Sequence, residues 1–158
     1  MARFKPIHGI IVVAVLIGIT VVSDVALEGG FRGSSFIRVA PDAAGNVVIN
    51  VANLKHGQVK FYKFLNPGNQ EVKFFVGRDH TGALQVAFDA NEICAKRKRG
   101  FHQDGSWMVC NVCDRSTKLS EVNKGLGGCS PVPLRFTLNG NQLVLTSQDI
   151  LQGWHFFA

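Results

Sequence analysis

Four cysteines, Cys94, Cys110, Cys113 and Cys129, are the only ones in the chain, and all lie between Asp89 and Pro133. Fifteen residues separate Cys94 from Cys110, two separate Cys110 from Cys113, and fifteen separate Cys113 from Cys129. A C-x2-C pair lets two thiolates reach one ion from a tight turn. Two further thiolates from flanking loops complete a tetrahedral sulfur site suited to zinc or iron, and the same four sulfurs can hold an iron–sulfur cluster. Spacing does not choose among these. Other chemistries use the same residues: two structural disulfides in an oxidising compartment, a redox-active Cys110–Cys113 dithiol, although the βαβ setting of that motif is absent, or free buried thiols. The residues alone favour metal, with Cys94, Cys110, Cys113 and Cys129 as ligands.

Several neighbours bear on that site. The run Lys96-Arg97-Lys98-Arg99 directly follows Cys94; its charge would offset that of a thiolate-bound ion, but charge runs are more often solvated surface. His80 and His102 are candidates for a mixed histidine–cysteine site, yet each sits among polar turn residues. Gly127-Gly128 before Cys129 would let the backbone approach a metal and donate N–H bonds to sulfur, or simply form a tight turn. Phe101 and Trp107 would shield a cluster from water or serve as ordinary core. Ser106 and Ser130 have no partner recognisable by motif, and no H-E-x-x-H, P-loop or dinucleotide fingerprint occurs. No enzyme is expected.

The elements that must position these residues read as β. Phe36–Val39 is a short strand. Asn46–Val51 is a β-branched run. Val59–Leu65 and Val72–Val76 flank the turn Asn66-Pro67-Gly68-Asn69, and a further turn leads into Ala83–Phe88, giving a three-stranded meander. From Asp89 to Pro133 periodicity is weak, and the segment reads as loop held by something other than a large core. Leu134–Leu138 and Gln142–Leu145 flank Asn139-Gly140, a strong hairpin signal. Ser147 would cap a last helix through Leu151, with Trp154, Phe156 and Phe157 folding back on the sheet.

Ahead of all this, Ile7–Val22 reads IHGIIVVAVLIGITVV, with Arg3 and Lys5 before it and Asp24 and Glu28 after it. At ~1.5 Å per residue the stretch spans about 24 Å, and its tolerant flank to Ala26 brings it close to the hydrocarbon thickness of a bilayer. The charge asymmetry places the N-terminus in the cytoplasm and exports the remainder; a cleaved secretory signal is the competing reading. The expected class is therefore mainly β (α+β). Residues 1–26 form a transmembrane anchor or signal, 27–35 a glycine- and serine-rich linker, and 36–158 one small extracytoplasmic metal-binding domain with a four-cysteine loop region. In a bacterium the chain would be a single-pass protein of the inner membrane with its C-terminal domain on the periplasmic or extracellular side. The net charge of +6 sits largely at Arg3, Lys5 and the Lys96–Arg99 run, so no nucleic-acid partner is expected.

Phe88-Asp89-Ala90-Asn91-Glu92-Ile93-Cys94, Gly100-Phe101, Cys110-Asn111-Val112-Cys113 and Gly127-Gly128-Cys129-Ser130-Pro131-Val132-Pro133-Leu134, with Phe61-Tyr62-Lys63-Phe64 and Val72-Lys73-Phe74-Phe75 before them, resemble the FtrD-like membrane iron–sulfur-containing family. The likeness runs from about Gln58 to Phe157, and its most specific piece is the GGC-x-P-x-P-L ending. It implies a membrane-anchored protein carrying iron or an iron–sulfur cluster; from the residues themselves, zinc in a structural interaction module of a membrane complex, or a disulfide-stapled exported domain without metal, is the alternative. The resemblance further implies a role in ferrous-iron uptake or the associated electron transfer, beside an iron permease and a periplasmic iron-binding protein. The chain departs from the family pattern at Asn91, where members carry a further cysteine in D-A-C-x-x-C. Four thiols stay, enough for one ion or one cluster.

Overall fold

The computed structural model describes residues 35–158. The expected membrane segment and nearly all of the linker lie outside the described residues. Within them no helix is long and apolar enough to cross a membrane.

Ten strands, β1 (Phe36–Val39), β2 (Asn46–Asn50), β3 (Gln58–Leu65), β4 (Glu71–Arg78), β5 (Leu84–Phe88), β6 (Phe101–Asp104), β7 (Trp107–Cys110), β8 (Ser116–Lys118), β9 (Thr137–Asn139) and β10 (Gln142–Thr146), precede one short helix, α1 (Ser147–Gln152). They form three sheets, ordered β1-β3-β4-β5, β2-β10-β9 and β6-β7-β8. All pairings are antiparallel except β1 with β3.

The expected meander is β3-β4-β5, with Phe61 opposite Phe75 and Phe75 opposite Ala87. Side chains alternate across a strand, and both faces of this sheet are covered. Val72, Phe74, Val76, Val86 and Phe88 join Val47, Ile49, Leu143, Leu145 and Ile150 in one core. Phe61, Phe75 and Ala87 face the other way and pack with Phe101, Met108, Cys110, Leu119 and Val122. Two-sided burial explains why β5, LQVAF, is buried at all five positions and carries no polar alternation beyond Gln85. That glutamine is paired at both ends, with Asp79 and with the Asn123 backbone.

Four local expectations are corrected. The strand expected over Leu134–Leu138 is found at Thr137–Asn139, while Leu134 donates its N–H to the Val86 carbonyl of β5. The segment from Asp89 to Pro133 is not mere loop: it contains the β6-β7-β8 sheet and a 3-10 turn at Leu119–Lys124. The helix cap is Thr146, whose side chain accepts from the Asp149 N–H, rather than Ser147, whose hydroxyl bonds to the Gly45 carbonyl. Phe156 and Phe157 return to the core, but Trp154 stays exposed.

Candidate metal centre

Each cysteine is placed by a different element on the Phe75 side of the central sheet. Cys110 ends β7, is fully buried and pairs with Phe101 of β6. Beyond it the chain turns tightly. Asp114 donates to the Cys110 carbonyl and the Cys110 N–H to the Arg115 carbonyl, while Asp114 takes a left-handed φ of 56°. This turn exposes Cys113. Cys94 follows β5 through an Asx turn, in which Asn91 Oδ1 accepts the N–H groups of Ile93 at 3.1 Å and Cys94 at 2.6 Å. Cys94 then opens the 3-10 turn Ala95–Arg97. Cys129 follows Gly127 and Gly128, both at positive φ, which only glycine adopts at little cost.

The three loops are tied to one another. Asn111 joins the C-x2-C turn to the segment after Cys94: its N–H donates to the Gly100 carbonyl and its Nδ2 to the Arg99 carbonyl. Asn91 Nδ2 donates to Cys110 Sγ at 3.4 Å. Glu92 accepts the Gly128 N–H at 3.3 Å, and Thr117 bonds Ser130 beside Cys129.

The sulfurs of Cys94, Cys113 and Cys129 lie within 4.8 Å of one another, and the Cys94 thiol also meets that of Cys110. All four cysteines are free thiols. Burial and the three surrounding thiols push the Cys94 thiol up to about 12, because an anion there would be poorly solvated and close to other sulfurs. A tetrahedral ion with metal–sulfur bonds of about 2.3 Å holds its sulfurs about 3.8 Å apart, so the spread of Cys94, Cys113 and Cys129 fits a single thiolate-bound ion. Cys110 reaches the group through Cys94 and does not share the mutual spacing of the other three. A cubane cluster puts a layer of iron and sulfide between its ligands and would need the thiols further apart.

The other candidates separate clearly. His102 Nδ1 meets Asn111 Oδ1 and His80 Nε2 meets Ser106 Oγ; neither histidine belongs to the sulfur group. Phe101 is buried beside the cysteines, whereas Trp107 is exposed with Lys118 over its ring. The Gly128 N–H is directed to Glu92 and not to sulfur. Lys96, Arg97, Lys98 and Arg99 are exposed and make no ion pair among the described residues.

One residue the sequence did not single out is Asp89. It is nearly buried, accepts the Phe101 N–H at 2.7 Å and lines, with Asn91, Cys94, Lys98 and Gly100, a cavity of about 210 Å³ beside the sulfurs. Burial pushes its carboxyl up to about 7, against the opposing pull of the Phe101 N–H and Lys73. The available signal was an acid placed directly after the all-buried strand β5.

Residues 54–157 match the family model described as membrane iron-sulfur containing protein FtrD-like. This covers more than half of the chain, so the chain belongs to that family. No curated protein and no solved structure matches it.

Proposed function

With membership of the FtrD-like family as the premise, we propose that this chain is a membrane-tethered, extracytoplasmic protein that holds iron on Cys94, Cys110, Cys113 and Cys129. It assists ferrous-iron uptake or the one-electron transfer that accompanies it. The observation that carries the reading is the convergence upon Cys94 of thiols from two other segments, the C-x2-C turn and the loop of Cys129. Thiolate ligands favour iron or zinc over the harder cations, and the close spacing of Cys94, Cys113 and Cys129 favours one ion over a cubane. The apolar N-terminal stretch with basic residues before and acidic residues after it supports a tether with the folded domain outside. An iron permease and a periplasmic iron-binding protein are the partners this role calls for, and the protein supplies binding rather than catalysis.

Anaerobic purification of the full chain, with metal analysis and a visible spectrum, tests the reading. About one iron per chain with sulfur-to-iron charge-transfer absorption is expected. Colourless protein with one zinc, which unfolds on chelation, would replace iron with a structural-zinc module, a reading that the same close sulfur spacing supports equally. Metal-free protein with two disulfides would sink both.

A further inference from the structure

Asn91 is 2% exposed, and both ends of its amide are committed. Oδ1 accepts the N–H groups of Ile93 and Cys94, and Nδ2 stands 3.4 Å from Cys110 Sγ. The amide cannot be turned over. Backbone N–H groups only donate, so the oxygen must face them and the NH2 must face the sulfur. The sulfur must therefore accept, and a thiolate accepts far better than a thiol. Among the described residues no other group except the cysteines themselves hydrogen-bonds to any of the four sulfurs. Cys110 is wholly shielded from solvent, so no water can substitute, and in such surroundings a single N–H···S bond has its greatest electrostatic effect.

We propose that Asn91 is a positioning residue which tunes the metal centre. Its oxygen fixes the Cys94 loop, while its amide N–H draws electron density from Cys110 and raises the reduction potential of the iron held there. The inference rests on the iron reading above. Hydrogen bonds to ligand sulfur are a recognised determinant of potential: they stabilise the extra negative charge the site carries once Fe(III) has taken one electron to become Fe(II).

Two variants separate the two ends of the amide. Asn91→Asp keeps an oxygen for the N–H groups of Ile93 and Cys94 but has no N–H for Cys110. Asn91→Ser keeps a short acceptor near the turn, adds no charge and cannot reach the sulfur. The full chain and both variants are loaded with iron anaerobically and titrated spectroelectrochemically, with a mediator carrying one electron per iron. Full iron occupancy is expected in all three, with a lower potential and a charge-transfer band at lower energy in both variants. Should the variants hold iron at full occupancy with unchanged potential and spectrum, or the serine variant alone keep the parent potential, the inference is overturned. Loss of iron without a shift in the part that stays loaded would reduce Asn91 to a structural cap and overturn it equally. Failure of the parent chain to take up iron would instead sink the proposed function, and the inference with it.

Discussion

Cys94 is the sulfur on which the others converge, and its raised pKa keeps it a thiol in the metal-free chain. A metal ion must displace that proton. Metal uptake should therefore release protons into a weakly buffered solution, followed with an indicator dye, and affinity should fall as pH is lowered. Cys94→Ser should weaken binding by on the order of 100-fold or more, at least as much as the loss of an outer-shell partner to a ligand, as read by competition with a chromogenic chelator. Asp89 gives the opposite kind of signal. Its folded-state pKa, about 7, lies above the ordinary value of 3.8, so between those values the folded state binds more protons than the unfolded one, and stability falls as pH rises. The loss should run from about pH 4 to pH 7 and level off above; the shift corresponds to at most on the order of 4 kcal/mol. Asp89→Asn should flatten this slope in urea unfolding of the metal-free chain. An unchanged slope would mean that the carboxyl is not held neutral by burial.

The strands legible in the sequence are those with a one-sided or fully apolar pattern. β1 to β5 and the β9–β10 hairpin announce themselves through short apolar or β-branched runs and the turns Pro67-Gly68 and Asn139-Gly140. The β6-β7-β8 sheet was obscured because Cys110 occupies a core position that a hydrophobic pattern does not mark, while polar and charged residues fill the turns around it. Gly105-Ser106 between β6 and β7, with Gly105 at φ 55°, was the available hairpin signal. The Asn91 turn that orients Cys94 depends on a side chain reaching back to its own backbone, which residue spacing does not reveal. At this scale the most exposed weakness is Gly100. It has a φ of 59°, and a Cβ there would run into the Asp89 carboxylate. Gly100→Ala should cost about 1–3 kcal/mol from overpacking, plus about 1–2 kcal/mol for the left-handed backbone, as a lowered urea midpoint. Gly140→Ala, also at φ 59° but in open space, should lose only the backbone part. Equal losses at the two positions would contradict the close approach of Gly100 to Asp89.

The central sheet divides the molecule into two cores: one closed by β2, β10 and α1, the other by β6-β7-β8 and the cysteine loops. The second carries the cysteine loops to the surface. Cys113 is exposed there, and Ile93 and Leu126, at 67% and 56% exposure, lie one residue from Cys94 and three from Cys129 in the chain. The exposed cations Lys96, Arg97, Lys98 and Arg99 follow Cys94 without ion pairs among the described residues. The nearby acid Glu92 is engaged by the Gly128 N–H. Net charge alone indicates neither partner nor fold, but a local excess of one sign creates a potential that concentrates counter-ions at the site and is screened within about 10 Å at 0.1 M salt. In the metal-free, reduced chain, Cys113 should therefore react first with the dianionic aromatic disulfide DTNB. Its thiolate attacks one sulfur of the reagent, forming a mixed disulfide and expelling thionitrobenzoate. That rate should fall by about threefold or more as salt is raised from low to high ionic strength, whereas a cationic thiosulfonate should show the opposite trend. Replacing Lys96 and Arg97 by glutamate should remove or reverse both salt effects without altering the fold, since neither side chain is buried. A salt response that is the same for reagents of either charge, or that survives the double replacement, would show that the cation row does not set the field at the sulfurs.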